Sequence, residues 1–246
     1  MARRDEIIAY ADELLDVASF ADYGPQGMQV IGADEVTSIA CGVSASRELF
    51  ERAARAGAQL VLVHHGLFWE SEPRVVDARM KGRLKALLDA DLTLAAYHLA
   101  LDAHPEIGNN VLLAQELGVE VERPFDVGVG GVLPRPLAAD ELAARVAERL
   151  GREPLLFDYG PARVRRVAIV SGAAASRLPA AAAQGYDLFL TGEAAEPTMM
   201  TARELGIHFL AAGHYATERL GIQALADRLA QRFGLEWRFI DLPNPV

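Results

Sequence analysis

Several features that define whole classes of protein are scarce in this sequence. Cys41 is the only cysteine among 246 residues, which excludes an intrachain disulfide and a cysteine-based zinc cage. Its place in the apolar run Ile39–Val43 predicts a buried structural thiol. Apolar runs such as Leu92–Tyr97 are far too short to cross a bilayer, and Met1–Tyr10 carries no apolar signal core. We therefore expect a cytoplasmic protein with no membrane partner.

Basic residues and nucleotide-binding motifs are also scarce. The formal net charge is −10, and no basic block offsets it. The densest basic group is Arg163 with Arg165 and Arg166, and the solvent-exposed start of a strand explains it. Nucleic acid is therefore not an expected partner. No P-loop G-x-x-x-x-G-K-[ST] occurs, and Gly128–Gly131 lacks the last glycine of the dinucleotide fingerprint. A nucleotide would need another kind of pocket.

The sequence contains the same order of predicted strands and helices twice. Ile39–His65 predicts a strand, a Ser-capped helix, a turn at Gly57 and a second strand. Val167–Glu193 predicts the same order, with its turn at Gly185. Strands that alternate with helices imply right-handed crossovers and mostly parallel sheets. With 51% hydrophobic residues, the chain can bury the core that such a fold requires.

Each half then continues to a third strand and a pair of polar residues. The third strands are Leu92–Tyr97 and Ile207–Ala211, and each is followed by the pattern H-x-x-x-[DE]. The predicted fold class is therefore α/β, with two similar α/β modules at 1–125 and 126–246. The intervening region contributes a Gly-rich strand, Val127–Leu133, and an amphipathic helix, Ala139–Leu150, so the boundary is not sharp. An N-terminal helix is predicted from about Arg3 to Val17.

The chemistry-bearing residues follow predicted strands. Ligands of open α/β sheets gather beyond the carboxyl ends of the strands, and His64 and His65 follow an apolar strand directly. Because neighbouring strand residues point to opposite faces, both imidazoles can serve one site only if the backbone turns there, for which Gly66 is well placed. His214 and Glu218, four residues apart at a helix start, project from one face. Imidazoles and carboxylates bind divalent cations, so these features predict a metal site with two ions.

His98 and Asp102 have the same spacing, but Pro105 makes a continued helix unexpected there. Asp102 is the stronger ligand candidate, whereas His98 is a candidate for orienting a ligand or a water, or a structural residue at a strand end. We interpret His104 as a turn residue and His208 as a residue within an apolar strand.

Three of these motifs, His64–Trp69, Tyr97–Asp102 and Gly213–Glu218, closely resemble the family named after the Ngg-one-interacting factor three, whose members are often labelled GTP cyclohydrolase I type 2 homologues. The resemblance covers nearly the whole chain, from the early segment Asp22–Val30 to Leu190–Glu193. It implies two α/β modules with a metal cleft between them, assembled as a toroidal homohexamer. The chain lacks the large central insertion of longer relatives and has Leu99 and Thr217 where many relatives carry Thr and Ser.

Carried over residue by residue, the resemblance implies two divalent ions per chain held by His64, His65, Asp102, His214 and Glu218, with Glu218 as the bridge. Zinc, manganese, iron and nickel all suit such ligands, so the metal stays open.

Three functions remain open at this stage. The first is metal-dependent hydrolysis of a nucleotide or another small molecule, of GTP cyclohydrolase I type 2 character, with Glu193 and His98 as candidate proton carriers. The second is metal binding or delivery without turnover. In the third, the metal centre is structural and joins two modules within a hexameric assembly.

Overall fold

The computed structural model describes residues 1–246. Its strands are β1 (Ala2–Arg3), β2 (Gly27–Val30), β3 (Glu35–Val36), β4 (Ser38–Ser44), β5 (Leu60–His65), β6 (Thr93–Ala96), β7 (Glu120–Phe125), β8 (Gly128–Leu137), β9 (Leu155–Phe157), β10 (Val164–Ile169), β11 (Leu188–Thr191), β12 (His208–Ala211) and β13 (Glu236–Phe239). Its α-helices are α1 (Arg4–Leu14), α2 (Arg47–Arg55), α3 (Ala78–Asp89), α4 (Leu99–Asp102), α5 (Asn109–Leu117), α6 (Ala139–Leu150), α7 (Leu178–Ala183), α8 (Thr198–Leu205), α9 (His214–Thr217) and α10 (Arg219–Phe233). Short 3₁₀ turns span Val17–Ser19 and Ala175–Arg177.

The chain divides into two compact units. The first unit comprises Met1–Leu101 and Gly221–Leu242, and the second comprises Asp102–Leu220 and Pro243–Val246. These limits differ from the sequence-based boundary between 125 and 126 because two strands pair across that boundary. Strand β7 pairs with β8 in the sheet of the second unit, and the late strand β13 pairs with β4 in the first.

The first unit is built on a five-stranded sheet in the order β13-β4-β5-β6-β2. Only β2 runs antiparallel, so the expectation of a mostly parallel sheet is confirmed here. Alternate strand residues such as Ala40, Val61 and Leu94 pack against Leu49 and Phe50 of α2. The hydroxyl of Ser46 accepts a hydrogen bond from the Leu49 N–H at 3.2 Å, which confirms the predicted Ser cap.

The second unit contains a six-stranded sheet in the order β7-β8-β10-β11-β12-β9. Its central strands β10, β11 and β12 are parallel, but β7, β8 and β9 pair antiparallel. The prediction of mostly parallel sheets is therefore wrong for this unit, because a β-hairpin and a short edge strand flank the parallel core. One sheet face packs Val167 and Leu188 against α5 and α6, and the other packs Phe189 and Phe209 against α7 and α8.

Each unit contains the order strand, helix, strand, helix, strand. The first two strands of this order pair in the same register in both units. Ile39 pairs with Leu60 in the first unit, and Val167 pairs with Leu188 in the second. The turns before β5 and β11 place Gly57 at φ +75° and Gly185 at φ +73°, as the sequence predicted for turn residues. The two units therefore share this order of elements and these turns.

Three other predictions concern single features of the fold. Helix α6 has the predicted bounds, whereas α1 ends at Leu14 because Asp16 adopts a left-handed conformation at φ 48°. Cys41 is fully buried, and burial raises the pKa of its thiol to about 12, which confirms the structural thiol. None of the helices combines the length and the apolarity that crossing a membrane requires.

Candidate metal site

In the first unit, three imidazoles gather at the carboxyl ends of β5 and β6. One ring nitrogen from each of His64, His65 and His98 lies within 4.8 Å of the others. The expectation that the strand ends before His64 is wrong, since β5 runs through His65. The rings of His64 and His65 nevertheless lie only 4.8 Å apart between centroids. Histidine clusters of this size are a common way for proteins to bind divalent cations.

Hydrogen bonds fix the orientation of the two strand histidines. His64 is fully buried, and its Nδ1 lies 2.9 Å from the carbonyl oxygen of Tyr97. A carbonyl only accepts, so Nδ1 carries the proton and the lone pair of the ring is on Nε2. The Nδ1 atom of His65 lies 3.1 Å from the Ser44 hydroxyl. Such contacts on the second ring nitrogen are typical of metal-binding histidines.

His98 is held by a carboxylate. Its Nδ1 lies 2.7 Å from Oδ1 of Asp22, and the other oxygen of Asp22 accepts from the Leu99 N–H at 2.9 Å. Burial acts to raise the pKa of Asp22, but the hydrogen bond and charge of His98, together with the N–H groups of Leu99 and Tyr23, outweigh it and lower that pKa. The backbone N–H groups of His98 and Ala100 both donate to the side-chain oxygen of Gln26 at 3.2 Å. Helix α4 covers only Leu99–Asp102 and ends before Pro105, so the expectation of no continued helix here is confirmed.

The turn after β5 is fixed by a second glutamine. Gln29 Oε1 accepts from the Leu67 N–H at 2.7 Å, and Gln29 Nε2 donates to the Pro25 carbonyl at 2.7 Å. A Cβ at Gly66 would overlap the Gln29 side chain, so only glycine allows this close approach. Strand β5 therefore ends just before the predicted glycine, and the backbone bends at Leu67.

In the second unit, His214 contacts two carboxylates. Its Nε2 lies 3.1 Å from Oε2 of Glu218, and its Nδ1 contacts Oε1 of Glu193. Burial lowers the pKa of His214, but the hydrogen bonds and charges of Glu218 and Glu193 raise it to about 9 overall. Glu218 is 2% exposed and lies where α9 ends and α10 begins, so the predicted single helix is interrupted at this residue.

Asp102 is also buried in the second unit, and it is held by several donors. Its Oδ1 accepts from the Asn109 side chain at 2.8 Å and from the Ser171 hydroxyl at 3.1 Å. Asn110 donates to the Asp102 carbonyl at 3.1 Å and accepts from the Ser171 N–H at 2.7 Å. These contacts give the carboxylate one fixed orientation.

Gly172 makes room for Glu218. It adopts φ +67°, and a Cβ there would overlap Glu218 Oε1 and lie 3.2 Å from His214 Nε2. Thr217 accepts from the Gly172 N–H at 3.1 Å and donates to the His214 carbonyl at 2.9 Å. The sequence predicted no role for Gly172, although its place just after β10 is where such a site residue is expected.

Several other residues that hold the candidate ligands in place were not predicted from the sequence. Asp22 and Gln26 fall inside a motif that the sequence already singled out, so their positions were recognisable but their roles were not. Asn109 and Ser171 carry no spacing signal. His104 accepts from the Glu106 and Ile107 N–H groups, as a turn residue does. His208 is 2% exposed and lies 2.8 Å from the Pro161 carbonyl, in agreement with a structural role.

The fold and these two groups of side chains define an α/β protein with candidate metal ligands in each of its units. The model of the Duf34/NIF3 (NGG1p interacting factor 3) family matches residues 2–245, and the chain belongs to that family.

Curated relatives match over nearly their whole length. A GTP cyclohydrolase 1 type 2 homolog of Pseudomonas aeruginosa is 49% identical, over 98% of this chain and 97% of the relative. A protein of the same description from Escherichia coli K12 is 46% identical, over 99% of this chain and all of the relative.

Solved structures show the same fold. The protein ybgI, described as of unknown function, has a TM-score of 0.97 at 45% identity, with both chains fully covered. The protein TTHA1606 of Thermus thermophilus has a TM-score of 0.94 at 36% identity, again with full coverage of both chains.

Proposed function

We propose that the chain binds two divalent metal ions through His64, His65, Asp102, His214 and Glu218, and uses them for hydrolysis of a small molecule. The observation that carries the proposal is the group of three imidazoles in the first unit, whose ring nitrogens lie within 4.8 Å of one another. The buried carboxylates of the second unit add the oxygen donors that borderline cations accept beside imidazole. In this proposal, both groups contribute to one dinuclear centre, with Glu218 as the bridge.

The donor atoms fit such ions. The hydrogen bond of His64 Nδ1 to the Tyr97 carbonyl directs the Nε2 lone pair toward a cation. Two donors hold Oδ1 of Asp102, so the carboxylate would bind through Oδ2. The contact between Glu193 and His214 Nδ1 orients that imidazole in the same way. Three of the proposed ligands are thus positioned by neighbouring polar groups.

Two bound cations would polarise the substrate and acidify a water molecule. The side chains of the chain supply proton transfer. His98, paired with Asp22, can hold a proton next to His64 and His65, and Glu193 is 35% exposed and can exchange a proton with solvent. The relatives named GTP cyclohydrolase 1 type 2 homolog make opening of a purine ring the first reaction to test.

A metal-reconstituted substrate screen tests the hydrolase. Nucleotides, phosphodiesters and small cyclic amides are incubated with protein loaded with zinc, manganese, iron or nickel. We expect saturable turnover that scales with metal occupancy and is lost in Glu218→Gln, which preserves side-chain volume. The matched control His208→Asn changes a buried histidine outside the proposed centre and should keep turnover.

Binding and exchange of metal without turnover of any substrate would contradict the hydrolase and favour metal delivery. A large loss of thermal stability on metal removal, with no turnover and no exchange, would favour a structural centre.

A further inference from the structure

A cavity of about 420 Å³ lies in the first unit, between the segment after β5 and the segment before β2. Its volume falls in the range of about 300–1,000 Å³ that is typical of small-molecule sites. A smaller adjoining space shares Phe68, Trp69 and Pro25 with this cavity and is lined by His64 and His98. The cavity therefore leads to the imidazole cluster.

The walls of the cavity are largely aromatic and apolar. Phe68 is 39% exposed, and Trp69 lies edge-on to His98 with 5.1 Å between ring centroids. Pro25 and Met80 complete the apolar lining. Aromatic side chains that border a cavity offer stacking surfaces to a flat ring.

Backbone contacts hold this wall in place. The Glu70 N–H donates to the Tyr23 carbonyl at 2.8 Å, and the Leu67 N–H donates to Gln29. A Cβ at Gly24 would overlap the Phe68 carbonyl, so the two segments lie in direct contact. The cavity is preformed, which lowers the entropy lost when a ligand binds.

The charged side chains that line the cavity differ in whether they have an ion-pair partner. The Glu72 carboxylate is held by Arg79 at 2.9 Å, and Asp22 is held by His98. Arg74 lines the same cavity and forms no ion pair, and the exposed Glu70 also lines it. An acidic ligand group would therefore be directed to Arg74 and away from Glu70.

We propose that this cavity binds a flat heteroaromatic ring that carries an acidic group, with the ring against Phe68 and Trp69 and the acidic group on Arg74. This inference rests on the proposed hydrolase, for which it names the substrate class. A nucleoside monophosphate has the ring, the charge and the size that the cavity requires.

The fluorescence of Trp69 provides a direct test. The chain has two tryptophans, so Trp237→Phe leaves Trp69 as the only tryptophan, which is excited selectively at a wavelength that tyrosine does not absorb. This variant is titrated with GMP, guanosine and ribose 5-phosphate, both after EDTA treatment and after zinc reconstitution. We expect a saturable change with GMP in both states, a weaker response to guanosine, and none with ribose 5-phosphate at the same concentration.

Side-chain variants then assign the contacts. Phe68→Ala should weaken GMP binding about tenfold through lost stacking. Arg74→Ala should weaken GMP binding about tenfold and leave guanosine unchanged, whereas Lys81→Ala, an exposed cation on α3, should change neither. Calorimetry with Trp69→Ala measures the same loss without the fluorescent reporter.

A GMP titration with no saturable change, or equal binding of GMP in Arg74→Ala and the parent variant, would overturn the assignment. Metal content of the same samples separates this failure from failure of the metal centre. Protein that retains metal but ignores GMP contradicts the cavity alone, and protein that binds GMP without retaining metal contradicts the centre alone.

Discussion

The backbone at Gly172 controls the space occupied by the Glu218 carboxylate. Gly172→Ala would place a methyl group on Glu218 Oε1 and would also strain a residue at φ +67°. We expect the variant to lose metal, because the proposed bridging carboxylate is displaced. Elemental analysis of the purified variant measures this loss.

Gly206→Ala provides the matched control for that variant. Gly206 has φ +65°, and nothing lies within 4 Å of the position its Cβ would take. Both variants should therefore lose about 1 kcal/mol of stability from the left-handed backbone, but only Gly172→Ala should lose metal. Equal metal content in the two variants would show that Gly172 is not needed to position Glu218.

Asp12 provides a pH-dependent prediction away from the proposed ligands. Its partly buried carboxylate accepts a hydrogen bond from the Tyr97 hydroxyl at 2.9 Å. Burial raises the pKa of Asp12, and the Tyr97 hydrogen bond opposes that shift only in part. The folded state therefore binds this proton more tightly than the unfolded state, so the carboxyl favours folding below pH 3.8 and loses that contribution as the pH rises through its raised pKa.

Asp12→Asn keeps the acceptor and removes the charge, so at pH 7 it should be at least as stable as the wild type. Its advantage should shrink as the pH is lowered toward 4. Asp12→Ala removes the acceptor of a buried hydroxyl and should lose about 1–3 kcal/mol. Urea unfolding at several pH values measures all three proteins, and an Asp12→Asn variant as unstable as Asp12→Ala at pH 7 would contradict the assigned role.

The residue types at strand ends predicted the main side chains of the site, but not the residues that hold them. His64 and His214 were recognisable because each follows an apolar strand and the chain carries further histidines and carboxylates at the ends of other strands. Asn109 and Ser171, which orient Asp102, are ordinary polar residues whose significance depends on three-dimensional contacts. The space at Gly172 likewise follows from the backbone path and has no signature in the sequence.

At the scale of elements, the same prediction applies to two equivalent turns. Gly57 and Gly185 both have positive φ and precede parallel strands with the same register. Gly57→Ala and Gly185→Ala should each reduce the free energy of unfolding by about 1 kcal/mol. Gly82 lies inside α3, where alanine is the better helix former, so Gly82→Ala should instead add up to about 1 kcal/mol.

Denaturant unfolding of the three glycine variants checks the signs. A neutral or stabilising effect at Gly57 and Gly185 would show that these turns do not require the left-handed conformation. Destabilisation at Gly82 would show that its Cβ, placed 3.7 Å from the Arg47 side chain, is poorly accommodated.

Local patterns predicted most strands and helices, because alternating burial and caps are encoded within a few residues. They did not predict strand order. Strand β13 returns to the edge of the first sheet beside β4, and β9 pairs with β12. These pairings depend on packing between residues distant in sequence, and Leu155 and Trp237 give no local sign of their partners.

At the scale of the whole molecule, we propose that the chain assembles as a ring of six. The proposal comes from the resemblance of the sequence motifs to the family to which the chain belongs. Multi-angle light scattering at micromolar concentration should give a mass six times that of the chain. A monomer at that concentration would contradict the ring.

The dinuclear centre is the central claim, and metal content tests it most directly. The five proposed ligands should retain about two ions per chain, and loss of the proposed bridge should empty both positions together. Elemental analysis compares wild type, Glu218→Ala, the isosteric Glu218→Gln and His208→Ala, after reconstitution with zinc, manganese, iron or nickel and removal of loosely bound metal. We predict about two ions in wild type and His208→Ala, and fewer than one in each Glu218 variant. Undiminished metal in folded Glu218→Gln, or no retained metal in wild type, would contradict the account.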